Sequence, residues 1–245
     1  MLLKGLAHSI LVLAFSVGSV KATDLAPFAQ EGATKAPVYK RPFPDALKVR
    51  VDGHFRGTDD AALTLTVLAP ERVGLTTKER PSLYWFQSQP VSNCFEVTIT
   101  ERKAIKPLLE AKFEGTGSGI QRLRLSDYNV SLAVNVEYRW SVAIVLDAEN
   151  RSKDVVASGM IERVKPTEKL LRRLQGAPVA DLPYIYADEG IWYDSLETLS
   201  ELVDAKPRDA KLHEIRAVYF MQVGLHDAAM NEIRLSGKTA KDENR

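Results

Sequence analysis

Leu63-Thr64-Leu65-Thr66-Val67-Leu68 alternates along the chain and is rich in strand-forming residues. Ala69-Pro70 ends the run. Working outward, six further stretches share this grammar: Ser82 to Ser88, Asn93 to Thr100, Leu108 to Phe113, Ile120 to Leu125, Asn135 to Leu146 and Asp154 to Val164. Turn residues separate them at the spacing of a β-sandwich. Within Val134–Val142 both faces carry bulky groups, and Tyr138 shares one face with Trp140, as in a central strand. Residues 61–164 are therefore expected to form an antiparallel β-sandwich of about seven strands. An immunoglobulin-like order is one option, with no cysteine pair to fix the topology.

After residue 164 the pattern changes to helices, giving an α+β chain. Pro166 and Thr167 open a first helix with Leu170, Leu171 and Leu174 as its stripe, and Gly176 stops it. Further helices are expected over Ile191–Val203, Asp209–Val223 and Asp227–Leu235. The helical module spans 165–235, followed by a frayed polar tail over 236–245.

At the other end, Met1-Leu2-Leu3-Lys4 carries one positive charge, Gly5 to Val20 carries none and is mostly apolar, and Val20-Lys21-Ala22 offers small residues. Positive start, apolar core and small-residue site make a secretion signal over residues 1–22, cleaved after Ala22. The apolar run is shorter than the ~20 residues that span a bilayer. No cysteine follows the cleavage site closely, so neither a lipid anchor nor stable membrane insertion is expected. The mature protein is placed in the periplasm or outside the cell. Residues 23–60 contain Pro27, Pro37, Pro42 and Pro44 and show no apolar period, which reads as an extended or disordered linker closed by the turn-rich Gly53–Thr58.

Composition narrows the function classes. The chain has 33 Lys+Arg and 32 Asp+Glu. Near-neutral charge lacks the basic footprint of a nucleic-acid binder. Cys94 is the single cysteine and reads as a buried, inert thiol. Glu114-Gly115-Thr116-Gly117-Ser118-Gly119 lacks the Lys-Ser/Thr pair of a phosphate loop and reads as a hairpin turn. His213 and His226 have no Cys/His/Asp cluster around them, so no metal or cofactor is expected. There is no Gly-x-Ser-x-Gly elbow. Asp188, Glu189 and Asp194 bracket Trp192 and Tyr193, the raw material of a glycan-active or hydrolytic site. The plainer reading makes the acids complements to a helix dipole and Trp192 an interface filler.

Gly190 and Gly224 lie 34 residues apart, with Pro207 halfway. With Trp192, Ser195, Ala217, Phe220 and Ala229 in register, this resembles the tetratricopeptide repeat. His213 and Arg216 depart from it, standing where that family prefers Trp and Leu, and Pro183 falls where a first helix should run. About one and a half repeats are present, too few for a solenoid, so the module is expected to pack on the β-domain.

A second resemblance covers residues 53–225. It rests on Arg56-Gly57-Thr58, Leu68-Ala69-Pro70 with Gly74 and Thr76, Pro81 with Trp85, Tyr138-Arg139-Trp140, Gly159–Val164 and Tyr186–Asp194. These stretches resemble a bacterial family of exported proteins, domain of unknown function 928. The resemblance implies compartment and fold and carries no chemistry. The resulting expectation is a non-enzymatic binding or scaffold module of the cell envelope whose partner is another envelope protein or a glycan. Trp192, Tyr193 and Asp194, with Glu214 and Met221 on a facing helix, are its candidate contact surface. The alternative is a periplasmic hydrolase or glycan-active enzyme using the acids near Trp192.

Overall fold

A computed structural model describes residues 35–43, 45–56, 62–115 and 117–242. The secretion signal and the first part of the predicted linker lie outside the described residues. Mixed α+β architecture is observed, with two sheets followed by five α-helices.

All seven expected strands form: β2 (Ala62–Val67), β4 (Ser82–Gln87), β5 (Cys94–Glu101), β6 (Leu109–Phe113), β7 (Gly119–Arg124), β8 (Glu137–Val145) and β9 (Val155–Arg163). Two short ones join them, β1 (Gly53–Arg56) and β3 (Gly74–Thr76). Strand order is β1-β2-β4-β7 in one sheet and β3-β9-β8-β5-β6 in the other. The strands pair antiparallel except β3 with β9, which run parallel, so the second sheet is mixed rather than purely antiparallel. The cause is local. After β2 the chain passes Pro70 and lands on the edge of the opposite sheet as β3.

Side chains join the sheets. Trp85 on β4 lies 6.4 Å from Phe95 and 5.9 Å from Phe113, ring centre to ring centre. Gly159 on β9 is needed for close approach, since a Cβ there would stand 2.9 Å from that of Ala69. Every residue of β4 is buried, which requires cover on both faces. Trp85 packs on the second sheet, whereas Ser82 bonds to Glu197 of the helical part. The Gly-rich stretch 114–119 is not a hairpin turn. β6 and β7 belong to different sheets, so this loop carries the chain across from one to the other.

The helices are α1 (Glu168–Leu174), α2 (Leu182–Asp188), α3 (Trp192–Ala205), α4 (Ala210–Met221) and α5 (His226–Asp242). The Thr167 hydroxyl caps α1 by accepting from the Leu170 amide at 3.1 Å. Sequence reasoning missed α2 because Pro183 looked like a breaker. Proline sits there in the first turn, where its missing N–H has no intrahelical partner to lose. The tail read as frayed is helical as far as Asp242. No proline interrupts it after residue 235.

The segment read as a linker also needs correction. Its described residues from 35 to 52 are mostly irregular, with a turn at Asp45, yet they are bonded to the rest of the molecule. The Lys40 amide donates to the Ala187 carbonyl at 3.0 Å, and Val51 exchanges two backbone hydrogen bonds with Ser158 at 2.8 Å each. Gly53–Arg56 then pairs with β2. Such a strap is held largely by main-chain groups, which leave no apolar period in the sequence. One hydrophobic core runs through both sheets, the strap and α2 to α5. The change of pattern near residue 164 therefore divides the chain's grammar and leaves its core continuous.

Candidate functional site

The N-terminal turn of α3 is where distant parts of the sequence meet. Trp192, Tyr193 and Asp194 are all fully buried. The Trp192 indole N–H donates to the Leu68 carbonyl at 2.9 Å. Its ring stacks on Tyr219 of α4 at 4.7 Å and meets the edge of Tyr39 in the strap at 5.0 Å. The Tyr193 hydroxyl donates to the Met160 carbonyl at 3.0 Å and accepts from the Trp140 indole at 2.8 Å. Both contacts reach the second sheet. Gly74 must lack a side chain here, because a Cβ would stand 2.7 Å from the Tyr193 ring.

Asp194 binds the edge strand of the same sheet and the residue after it. It accepts from the Thr76 hydroxyl at 2.5 Å, the Thr77 amide at 3.0 Å and the Thr77 hydroxyl. Burial raises its pKa, opposed by these donors and by the Lys78 charge. One turn on, Glu197 accepts from the Ser82 hydroxyl at 3.0 Å and pairs with Lys78 at 3.1 Å. Thus β3, β4, β8, β9 and the Leu68 bend are all tied to two turns of one helix. Glu197, Thr76 and Thr77 were missed as partners. The signal for Glu197 was its place one turn beyond Asp194 on the same helix face.

The carboxylates near Trp192 are held in ion pairs and hydrogen bonds. Arg173 binds both Asp188 and Glu189 at 2.5 Å. Lys40 also pairs with Asp188, and Lys169 lies 2.7 Å from Glu189. Hydrogen bonds from Lys40 and Arg173 lower the Asp188 pKa, and those from Lys169 and Arg173 lower that of Glu189. A general acid needs the opposite shift. Asp194 has that shift but no exposure. A depression lined by Tyr39, Pro42, Glu71 and Val223 among others, and by none of these acids, measures about 10 Å³, room for about one water.

Trp192, Tyr193 and Asp194 are therefore enclosed by the chain's own sheets, strap and α4 and reach no solvent. The run expected from the sequence to form a surface lies in the interior. Glu214 and Met221 lie elsewhere, on α4. Glu214 is exposed and Met221 half-buried against the core. Cys94 is half-buried, with its thiol against the Phe95 carbonyl.

His213 and Arg216 share one acidic partner. His213 and Arg216 on α4 both contact Glu232 on α5, at 2.7 and 2.9 Å, in a buried cluster. The other His213 ring nitrogen lies 3.1 Å from the Pro207 carbonyl. Charged side chains here take the place of aromatic and aliphatic packing. Among the described residues no group of three or more His, Cys, Asp or Glu could hold a metal ion, and no helix is long and apolar enough to cross a membrane.

A two-sheet β-domain whose helical module is locked on by a buried Trp-Tyr-Asp turn defines the class. The chain belongs to the family described as Domain of Unknown Function (DUF928), whose model matches residues 51–233. No curated protein matches it. Several of the family stretches noted in the sequence converge here: Leu68, Gly74 and Thr76, Trp140, Met160, and Trp192–Asp194.

Proposed function

We propose that the protein is exported and acts in the cell envelope as a non-enzymatic binding or scaffold module. The observation that carries this reading is the use made of the polar residues in its most distinctive run. Asp188, Glu189 and Asp194 are spent on ion pairs and on holding α3 to strands. A run used in this way supports an assembly role better than a chemical one.

The strand order supports an immunoglobulin-like reading of the β-domain. Taking β2, β4 and β7 as A, B and E leaves β9-β8-β5-β6 in the order G-F-C-C′. The helices support a tetratricopeptide-like reading. α2–α3 and α4–α5 are two helical pairs, turning at Gly190 and Gly224 with φ of +74° and +71°, values that suit glycine. Both are scaffolds that commonly present binding surfaces.

The outward face of α4 is the partner surface in this reading. Glu214, Val218 and Met221 fall on one stripe at i, i+4, i+7. Val218 is exposed despite being apolar. Cross-linking in intact cells should trap an envelope partner on the wild-type chain. Val218→Asp should lose that species without a change in melting temperature. If it retains the same species, the α4 surface is wrong. Export is tested by fusing residues 1–30 to a reporter active only outside the cytoplasm; an inactive fusion removes the compartment assignment.

A further inference from the structure

The strap is bound as a peptide ligand is bound. Ala36, Pro37 and Tyr39 are buried while Val38 and Lys40 point outward, the alternation of an extended segment in a groove. Its main chain is clasped from both helical pairs. Tyr184 of α2 donates to the Lys35 carbonyl at 2.8 Å, and the Lys40 amide donates to Ala187 at 3.0 Å. Gln222, just past α4, uses both ends of its amide: Nε2 donates to the Pro37 carbonyl at 2.7 Å and Oε1 accepts from the Tyr39 amide at 2.9 Å.

One side chain supplies specificity. Tyr39 enters beside Trp192. Gly190 makes room, since a Cβ there would stand 2.7 Å from the Lys40 carbonyl. Asp188 takes the Lys40 ammonium. Main-chain clasping with one aromatic pocket and one acidic rim is a general way to read a short extended peptide.

Ala36 and Tyr39 belong to the core, yet other apolar side chains of the strap do not. Among the described residues, Val38, Phe43, Leu47 and Val51 are exposed apolar side chains on this segment, Leu47 at 86%. Few buried contacts per residue mark a segment that opens locally. The hydrogen bonds that fix α3 to the sheets, from Trp192, Tyr193 and Asp194, do not involve the strap.

We propose that the groove formed by α2, the start of α3 and the end of α4 is a peptide-binding site, filled here by the chain's own Ala36–Lys40. Its working ligand is an extended segment of an envelope protein carrying proline, a tyrosine two residues on, and a following cation. This deepens the binding-module reading and rests on it. The tethered copy competes with the ligand at roughly millimolar effective concentration.

The test uses the full chain and a labelled peptide spanning residues 34–43. The Tyr39→Ala chain should bind this peptide saturably at one to one. The wild-type chain should bind it about tenfold more weakly or less, because its own strap competes. A peptide with alanine in place of its tyrosine should not bind. A folded Tyr39→Ala chain that ignores the peptide overturns the proposal. Should that variant fail to fold, hydrogen exchange on the wild type decides. The Tyr39 and Lys40 amides should exchange about a hundredfold faster than those of β5 and β8, and equal protection overturns the groove. A wild-type dimer abolished by Tyr39→Ala would assign the groove to a second copy and also overturn it. Loss of peptide binding with the Val218-dependent cross-link intact removes this site alone. Loss of the cross-link removes the broader reading.

Discussion

The two helical pairs share a turn and little else. Counting 34 residues on, Trp192 corresponds to His226, Asp194 to Ala228 and Thr198 to Glu232. Trp192 and Asp194 are fully buried among strands, whereas His226 is exposed. In the first pair the contacts that position the helix sit at its N-terminal turn, because the sheets and the strap cover that turn. In the second pair only His226 and Asp227 of that turn are exposed, and the polar contacts move to the middle of α5, where Glu232 meets His213 and Arg216. A repeated glycine sets where a pair turns. What covers the turn decides which side chains follow it.

The widest gap between the pairs should appear on truncating equivalent positions. Trp192→Ala removes a fully buried ring that touches Tyr39 and Tyr219 and holds Leu68. Its expected cost is about 4 kcal/mol. His226→Ala should stay within about 0.5 kcal/mol, as exposed changes do. Urea midpoints for the two variants check this, and similar losses would dissolve the contrast. Asp194→Ala comes next, at about 3 kcal/mol, because it strands the buried Thr76 and Thr77 donors. An unchanged midpoint in that variant would show that water satisfies those donors and that the α3 turn is looser than its geometry.

The strands announce themselves wherever alternation lasts five residues or more. β3 does not, being three residues whose place depends on β9 far along the chain. The strap is harder still. Its prolines and charges look like a linker, and its partners Ala187 and Gln222 are distant in sequence. Trp192-Tyr193-Asp194 stands out in the sequence as distinctive, but a carboxylate beside two aromatic rings reads the same on a sugar platform and in a buried turn. The difference lies in Leu68, Thr76 and Met160, which no local pattern connects to it. Pro183 misleads for a related reason: proline breaks a helix interior and suits a helix start, and only the position of the start separates the two.

The buried cluster of the second pair makes the smallest prediction, and it concerns pH. A carboxylate and a carbonyl can only accept, so both His213 ring nitrogens carry hydrogen when both contacts form. The Glu232 hydrogen bond raises the His213 pKa from its ordinary 6.5, opposed by burial and by the Arg216 charge and helped by the Pro207 carbonyl. A group held more protonated in the folded state stabilises the fold fully below its unfolded pKa and loses that contribution as pH rises through the folded one. The wild type should therefore weaken as pH climbs above about 6.5, by about 1.5 kcal/mol for one charge-assisted hydrogen bond. His213→Gln should begin less stable at low pH and show a flatter profile. Parallel urea profiles for the two chains from about pH 6 to about pH 9 would mean that Glu232 is satisfied by Arg216 alone. The second pair would then be held by an ion pair indifferent to pH.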